Sequence, residues 1–153
     1  NENDVSILHK DKDITSLLRS ETTAKIASEL SALPKTREDL LTIQRDFYNQ
    51  DGLVADGRDM GTVVFPKAAL KIFLTASPEV RAKRRHLELQ KRGQEVNMLD
   101  LIADIELRDM KDRTRTLSPL IPAEDSVVID SSNMSIDEVL SFTKKLTKKE
   151  FNK

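Results

Sequence analysis

Arginines and aspartates recur in this sequence at spacings suited to holding an anion. Arg58 and Asp59 follow Gly57, directly after the apolar run Leu53-Val54-Ala55. Arg108, Asp112 and Arg115 recur at helical spacing, and Arg81, Arg84 and Arg85 cluster on a second helical stretch. A guanidinium is a planar fork of donors that matches phosphate oxygens two at a time. Three arginine sources converging on one polyphosphate would make the kind of clamp that stabilises a phosphoryl group in transfer.

Each group also has a plainer reading. Arg108, Asp112 and Arg115 form a ladder of i, i+3 and i+4 pairs, worth about 0.3–0.5 kcal/mol each on a solvated helix. The Arg81–Arg85 cluster reads equally as a solvated basic face. Asp59 either satisfies the backbone amides of its own loop or accepts from a ligand's amino group. His9 and His86 are far apart and isolated, and read as surface residues rather than metal ligands or members of a triad.

The elements that position these side chains follow from the patterning. Val5 to Leu8 reads as a short edge strand before the polar turn HKDKD. Ile26, Leu30 and Leu33 give a helix from about Ser20 to Leu33, ended by Pro34. Thr36 offers an N-cap to a second helix, with Asp39 as a weaker capping box and Leu40, Ile43 and Phe47 as its apolar face. Leu53–Ala55, Lys71–Ala76 and Ser126–Asp130 are short continuous apolar runs, the pattern of buried parallel strands. Ser77-Pro78-Glu79 opens a basic helix that Gly93 closes. A further helix spans about Asn97 to Arg115, and Ser135 with Glu138 opens a last one by a capping box. On the Asn97–Arg115 helix Leu101, Ile105, Arg108, Asp112 and Arg115 share one stripe, apolar in its first half and charged in its second. Docking by Leu101 and Ile105 would aim the charged half beyond the edge of the core. Strands separated by helices imply an α/β fold with a parallel sheet and crossover connections. Three strands are few for such a sheet.

Composition narrows the classes. The 153 residues suit one domain with room for a small inserted lobe, and 38% are hydrophobic and 33% charged, with a formal net charge of -1. That balance disfavours a generic nucleic-acid binder. Cysteine is absent, which excludes a disulfide framework and thiolate chemistry. No apolar stretch approaches the roughly 20 residues of a membrane span. A soluble, cytoplasmic protein without membrane or nucleic-acid partners is the expectation.

The segments DGRDMGTVVFP, KIFLTASPEVRAKRR, RDMKDRTRTLSPL and VVIDSSNMSIDEV, in that order, resemble bacterial cytidylate (CMP) kinases. The upstream stretch DITSLLRSETTAKIASELSALPKTREDLLTIQRDF resembles the insert that sets those enzymes apart from other nucleoside monophosphate kinases, so the likeness runs from about Asp13 to Leu146. It implies a P-loop-type kinase fold: a parallel sheet with flanking helices, a helical monophosphate-binding insert in residues 1–50, and the rest of the core in 51–153. Within that core the resemblance implies a helical lid at about 81–116. It also implies transfer of the ATP γ-phosphoryl group to CMP or dCMP, with Mg²⁺ carried on the nucleotide phosphates. Ser28 and Arg37 match positions that contact the cytosine ring, and Asp59 the partner of its amino group. Arg58 matches the residue that holds the monophosphate, Arg108 and Asp112 lie at the ribose, and Arg115 is a further nucleotide ligand. Arg84 or Arg85 matches the lid arginine that reaches the ATP phosphates.

One feature of the family is missing. A nucleotide kinase cradles the donor phosphates with G-x-x-x-x-G-K-[ST]. The four glycines here, Gly52, Gly57, Gly61 and Gly93, build no such loop. The chain also begins NENDVSILH, without methionine. The expectation is therefore the carboxyl-terminal majority of a CMP kinase, incomplete at its amino terminus and lacking the P-loop segment. Such a chain would be inactive alone. The rival reading is a non-catalytic nucleotide-binding fragment.

Overall fold

Two short strands, β3 (Ile72–Thr75) and β4 (Val127–Asp130), run parallel in register from Ile72 opposite Val127 to Thr75 opposite Asp130. They belong to the second of two units, residues 1–49 and 50–153, into which the chain divides. The computed structural model describes residues 6–18 and 20–152.

In the first unit, β1 (Leu8–His9) and β2 (Lys12–Asp13) form an antiparallel hairpin. Its two turn residues, Lys10 and Asp11, both take positive φ, at 49° and 63°. That matches the twist two-residue hairpins require. Of the expected Val5–Leu8 strand, Leu8 is strand, Ser6 and Ile7 are not, and Val5 lies outside the described residues. A single turn, α1 (Thr15–Leu18), leads to α2 (Glu21–Leu30), which Ser20 caps by accepting from the Thr23 amide at 3.2 Å. Pro34 does not end α2, which closes at Ser31. It opens α3 (Pro34–Asp46) instead, in the first-turn position where its missing N–H costs nothing. Thr36 therefore lies inside the helix, and the N-cap is Leu33, which has no side-chain capping bond. The apolar stripe of α3 forms as expected, but Leu40, Ile43 and Phe47 are exposed.

In the second unit the expected strand at Leu53–Ala55 is absent. Those residues are irregular, and Val54 is fully exposed. A strand needs a neighbour to take its backbone donors and acceptors, and β3 pairs with β4 alone among the described strands. After Asp59 the chain makes a π-helical turn, Met60–Val64, in which Val64 and Phe65 donate five residues back to Asp59 and Met60. Ser77 caps α4 (Pro78–Lys91), accepting from Val80, and the turn at Gly93 (φ 73°) closes it. There Gln94 donates to Leu89 and Gly93 to Gln90, the paired bonds of a Schellman stop. Asn97 caps α5 (Met98–Thr114), which lies against α4. Ser135 and Glu138 form the expected capping box of α6 (Ile136–Phe151). Among the described residues the buried apolar side chains are Val64, Ala76, Ala82, Leu89 and Ile129. Leu74 and Val128, on the two strands, are each 55% exposed. No helix among the described residues is long and apolar enough to cross a membrane.

Candidate functional site

Asp112 is the centre of the site. It is 4% exposed although it is charged and sits on α5, a helix whose neighbouring positions Lys111 and Arg113 are exposed. Burial of a carboxylate is tolerated only where cations and hydrogen bonds replace water. Here the cations are Arg58, Arg108 and Arg115. Arg58 donates its Nε to Asp112 Oδ2 across 54 residues of sequence. Arg115 donates Nη1 to Oδ1 at 3.4 Å, and Arg108 Nε stands 4.0 Å from Oδ2. Three guanidinium groups thus stand at one carboxylate.

The last turn of α5 explains how Arg115 reaches back. Arg115 caps the helix with an extended backbone, and its Nε donates to the Ser118 carbonyl at 2.6 Å. Ser118 has φ 50°, a left-handed conformation costing a non-glycine residue about 1–3 kcal/mol. Pro119 follows, and the Leu120 amide donates to the Asp112 carbonyl at 2.8 Å. That bond satisfies one of the carbonyls a helix end leaves without an intrahelical partner.

Asp59 is half-buried and precedes the π-helical turn. Its carbonyl accepts from Val63 and Val64, while its carboxylate makes no capping bond to the turn. Gly57 has no left-handed backbone. A Cβ there would stand 2.9 Å from Met60 Cε.

A second group of arginines lines a cavity of ≈ 190 Å³ beside the ends of β3 and β4, with Thr75, Ser131, Arg81, Arg84, Arg113 and Asp109 in its wall. Arg81 gives both Nη atoms to the Asp109 carboxylate, at 2.9 and 2.5 Å, and its Nε to the Ala76 carbonyl at 3.0 Å. Arg84 gives its Nη atoms to the Ser131 hydroxyl at 3.2 Å and carbonyl at 2.7 Å. Ser131, 2% exposed, donates its own hydroxyl to Thr75 O at 3.0 Å. Beside it, Asp130 accepts from the Ser132 hydroxyl and amide, which hold its carboxyl below the usual aspartate range. Arg85 pairs with Glu88 at 2.7 Å and does not line the cavity.

The structure thus brings Arg58, Arg108, Asp112 and Arg115 together. Ser28, on α2, and Arg37, on α3, belong to the first unit, and both are half-buried. His86 is half-buried rather than superficial, with Nδ1 enclosed and without a hydrogen-bond partner. Ser118 acts through its backbone carbonyl, and Ser131 through its carbonyl and hydroxyl together, and no sequence spacing announces either.

A family model for cytidylate kinase matches residues 1–149. The chain is 53% identical over 135 residues to a cytidylate kinase of Photobacterium profundum, an alignment covering 88% of this chain and 59% of that protein. It is 46% identical over 150 residues to a cytidylate kinase of Proteus mirabilis, covering 95% and 67%. A cytidylate kinase 1 of Haemophilus influenzae is 49% identical over 137 residues, covering 90% and 59%. The chain therefore spans about three fifths to two thirds of the length of these curated relatives. By the extent of the family match and by these identities, the chain belongs to the cytidylate kinase family.

Proposed function

We propose that the protein transfers the γ-phosphoryl group of ATP to CMP or dCMP, and that this chain supplies the acceptor site and the lid. The observation that carries this reading is the gathering of Arg58, Arg108 and Arg115 at Asp112. In it, Arg58 grips the acceptor's monophosphate and Arg115 backs it. Arg108 and Asp112 lie beside the ribose, Asp59 takes the cytosine amino group, and Ser28 and Arg37 contact the ring. An anionic acceptor oxygen attacks the γ-phosphorus while the bond to the bridging oxygen of ADP breaks. The attacking oxygen already carries charge, so no general base is needed, and catalysis rests on positioning and charge stabilisation.

The donor phosphates fall to Arg84 or Arg85. Arg84 is favoured, because its Ser131 partner leaves its charge uncompensated whereas Arg85 faces Glu88. Mg²⁺ arrives on the nucleotide phosphates. Among the described residues no group of three His, Cys, Asp or Glu side chains could hold a metal ion. The donor's main cradle is proposed to lie outside these 153 residues, since G-x-x-x-x-G-K-[ST] does not occur in them. The same absence favours, as a second reading, a chain that binds CMP without turning it over.

Calorimetric titration with CMP and dCMP tests the acceptor site. Arg58→Met should weaken both by about 10- to 150-fold, the loss of a charge-assisted grip of about 1.5–3 kcal/mol. Equal affinity in variant and wild type would remove the assignment. A coupled assay of ADP release by the chain alone should show no turnover, and robust turnover would overturn the placement of the donor cradle.

A further inference from the structure

The segment Ser118-Pro119-Leu120 follows the charged end of α5 and has no part in the reading above. Two of its hydrogen bonds return to the site. The Ser118 carbonyl holds Arg115 by Nε, and the Leu120 amide holds the carbonyl of Asp112. Asp112 in turn holds Arg58 by Nε. Gripping an arginine at Nε fixes the plane of its guanidinium and leaves the Nη edge to a ligand. For Arg58 neither Nη atom has a partner among the described residues. An Nη pair is the fork that meets two oxygens of a phosphate monoester.

We propose that Ser118 is a positioning residue. Its left-handed backbone turns the 118–120 segment back onto α5, so that Arg115 steadies Asp112 and Asp112, gripping Arg58 at Nε, presents the Arg58 fork to the acceptor's phosphate. This rests on the acceptor-site reading. The residue before a proline is also biased away from helical conformations. Ser118 therefore keeps φ 50° against two local preferences, and its contacts to Arg115 and α5 are what hold it there.

The test uses the 153-residue chain titrated with CMP, inorganic phosphate and cytidine. Ser118→Val, whose branched side chain disfavours the left-handed region, should weaken CMP and inorganic phosphate by the same factor, about tenfold. Cytidine, which lacks the phosphate, should bind as before. Ser118→Gly, which takes positive φ freely, should bind all three as the wild type does. A loop that merely stabilises the fold would lower the melting temperature of Ser118→Val and leave the phosphate affinity unchanged, which overturns the proposal. So would loss of cytidine binding in step with phosphate. Should Ser118→Val fail to fold, the Arg115 Nε–H of the wild type decides: slow solvent exchange supports the grip, and exchange as fast as free arginine overturns it. A wild type that binds neither CMP nor phosphate removes the acceptor reading and this proposal together. A wild type that binds both, with Ser118→Val and Ser118→Gly alike, removes only the proposal.

Discussion

Two aspartates three residues apart on α5 each draw arginines, and they use them differently. At Asp112, Arg58 and Arg108 turn Nε toward the carboxylate, and Arg115 gives its Nε to Ser118 and Nη1 to the carboxylate. At Asp109, Arg81 spends both Nη atoms on the carboxylate and its Nε on Ala76, while Arg84 spends its Nη atoms on Ser131. Both places combine arginines with one carboxylate. What differs is the edge of the guanidinium that the fold consumes. Arg58, held at Nε, keeps its fork for a ligand, whereas Arg81, with its fork on Asp109, braces α4 to α5.

The largest difference should appear when each carboxylate is removed. Asp112→Ala removes the buried carboxylate that three arginines share and is expected to cost about 3–5 kcal/mol of stability, together with CMP binding. Asp109→Ala strands only Arg81 and should cost about 1.5–3 kcal/mol. Chemical denaturation of both variants measures the gap, and equal losses would mean that the two clusters are wired alike. Arg81→Met sharpens the point. It should destabilise the chain about as much as Asp109→Ala while leaving the affinity for inorganic phosphate within about twofold of wild type, since Arg81 has no fork to offer. A tenfold loss of phosphate affinity would make Arg81 a ligand residue and end the distinction.

The sequence makes one cluster half legible and the other hardly at all. Arg108, Asp112 and Arg115 are visible because helical spacing puts them on one stripe, and α5 forms over nearly the expected range. That Arg58 joins them is invisible to spacing, as it comes from a loop 54 residues away. Only the likeness to a family put both at one nucleotide. Caps were readable where a side chain makes the bond, at Ser77 and at Ser135 with Glu138. Thr36 misled because Pro34, two residues earlier, takes the first-turn position. Leu53–Ala55 misled because an apolar run gives a strand's composition but cannot supply its neighbour. Ser118 had no signal, since nothing about a serine before proline announces a positive φ.

The smallest effect expected is acid-dependent and belongs to the braced cluster. Asp130 Oδ1 accepts from the Ser132 hydroxyl at 2.6 Å and from its amide at 2.9 Å. The same hydroxyl oxygen accepts from the amide of Ser77, the residue that caps α4. The carboxylate thus orients the hydroxyl whose lone pair anchors the start of the helix carrying Arg81 and Arg84. The Ser132 hydroxyl first, then its amide, holds the Asp130 carboxyl below the usual aspartate range. A folded-state value below the unfolded one means that ionisation favours the folded state. The contribution is therefore present above the usual aspartate value and is lost as pH falls through the folded one. Glu79, Asp125 and Glu138 are also held low and act in the same acid range, but they are common to wild type and Asp130→Asn and cancel in the comparison. The stability gap between those two proteins should be open at about pH 6 and close toward about pH 3. A constant gap would show that the anchor at Ser77 does not depend on the charge. At neutral pH, Asp130→Asn should bind inorganic phosphate as the wild type does, because the grip on Arg58 and Arg115 runs through Asp112 and Ser118 and nowhere through Ser77.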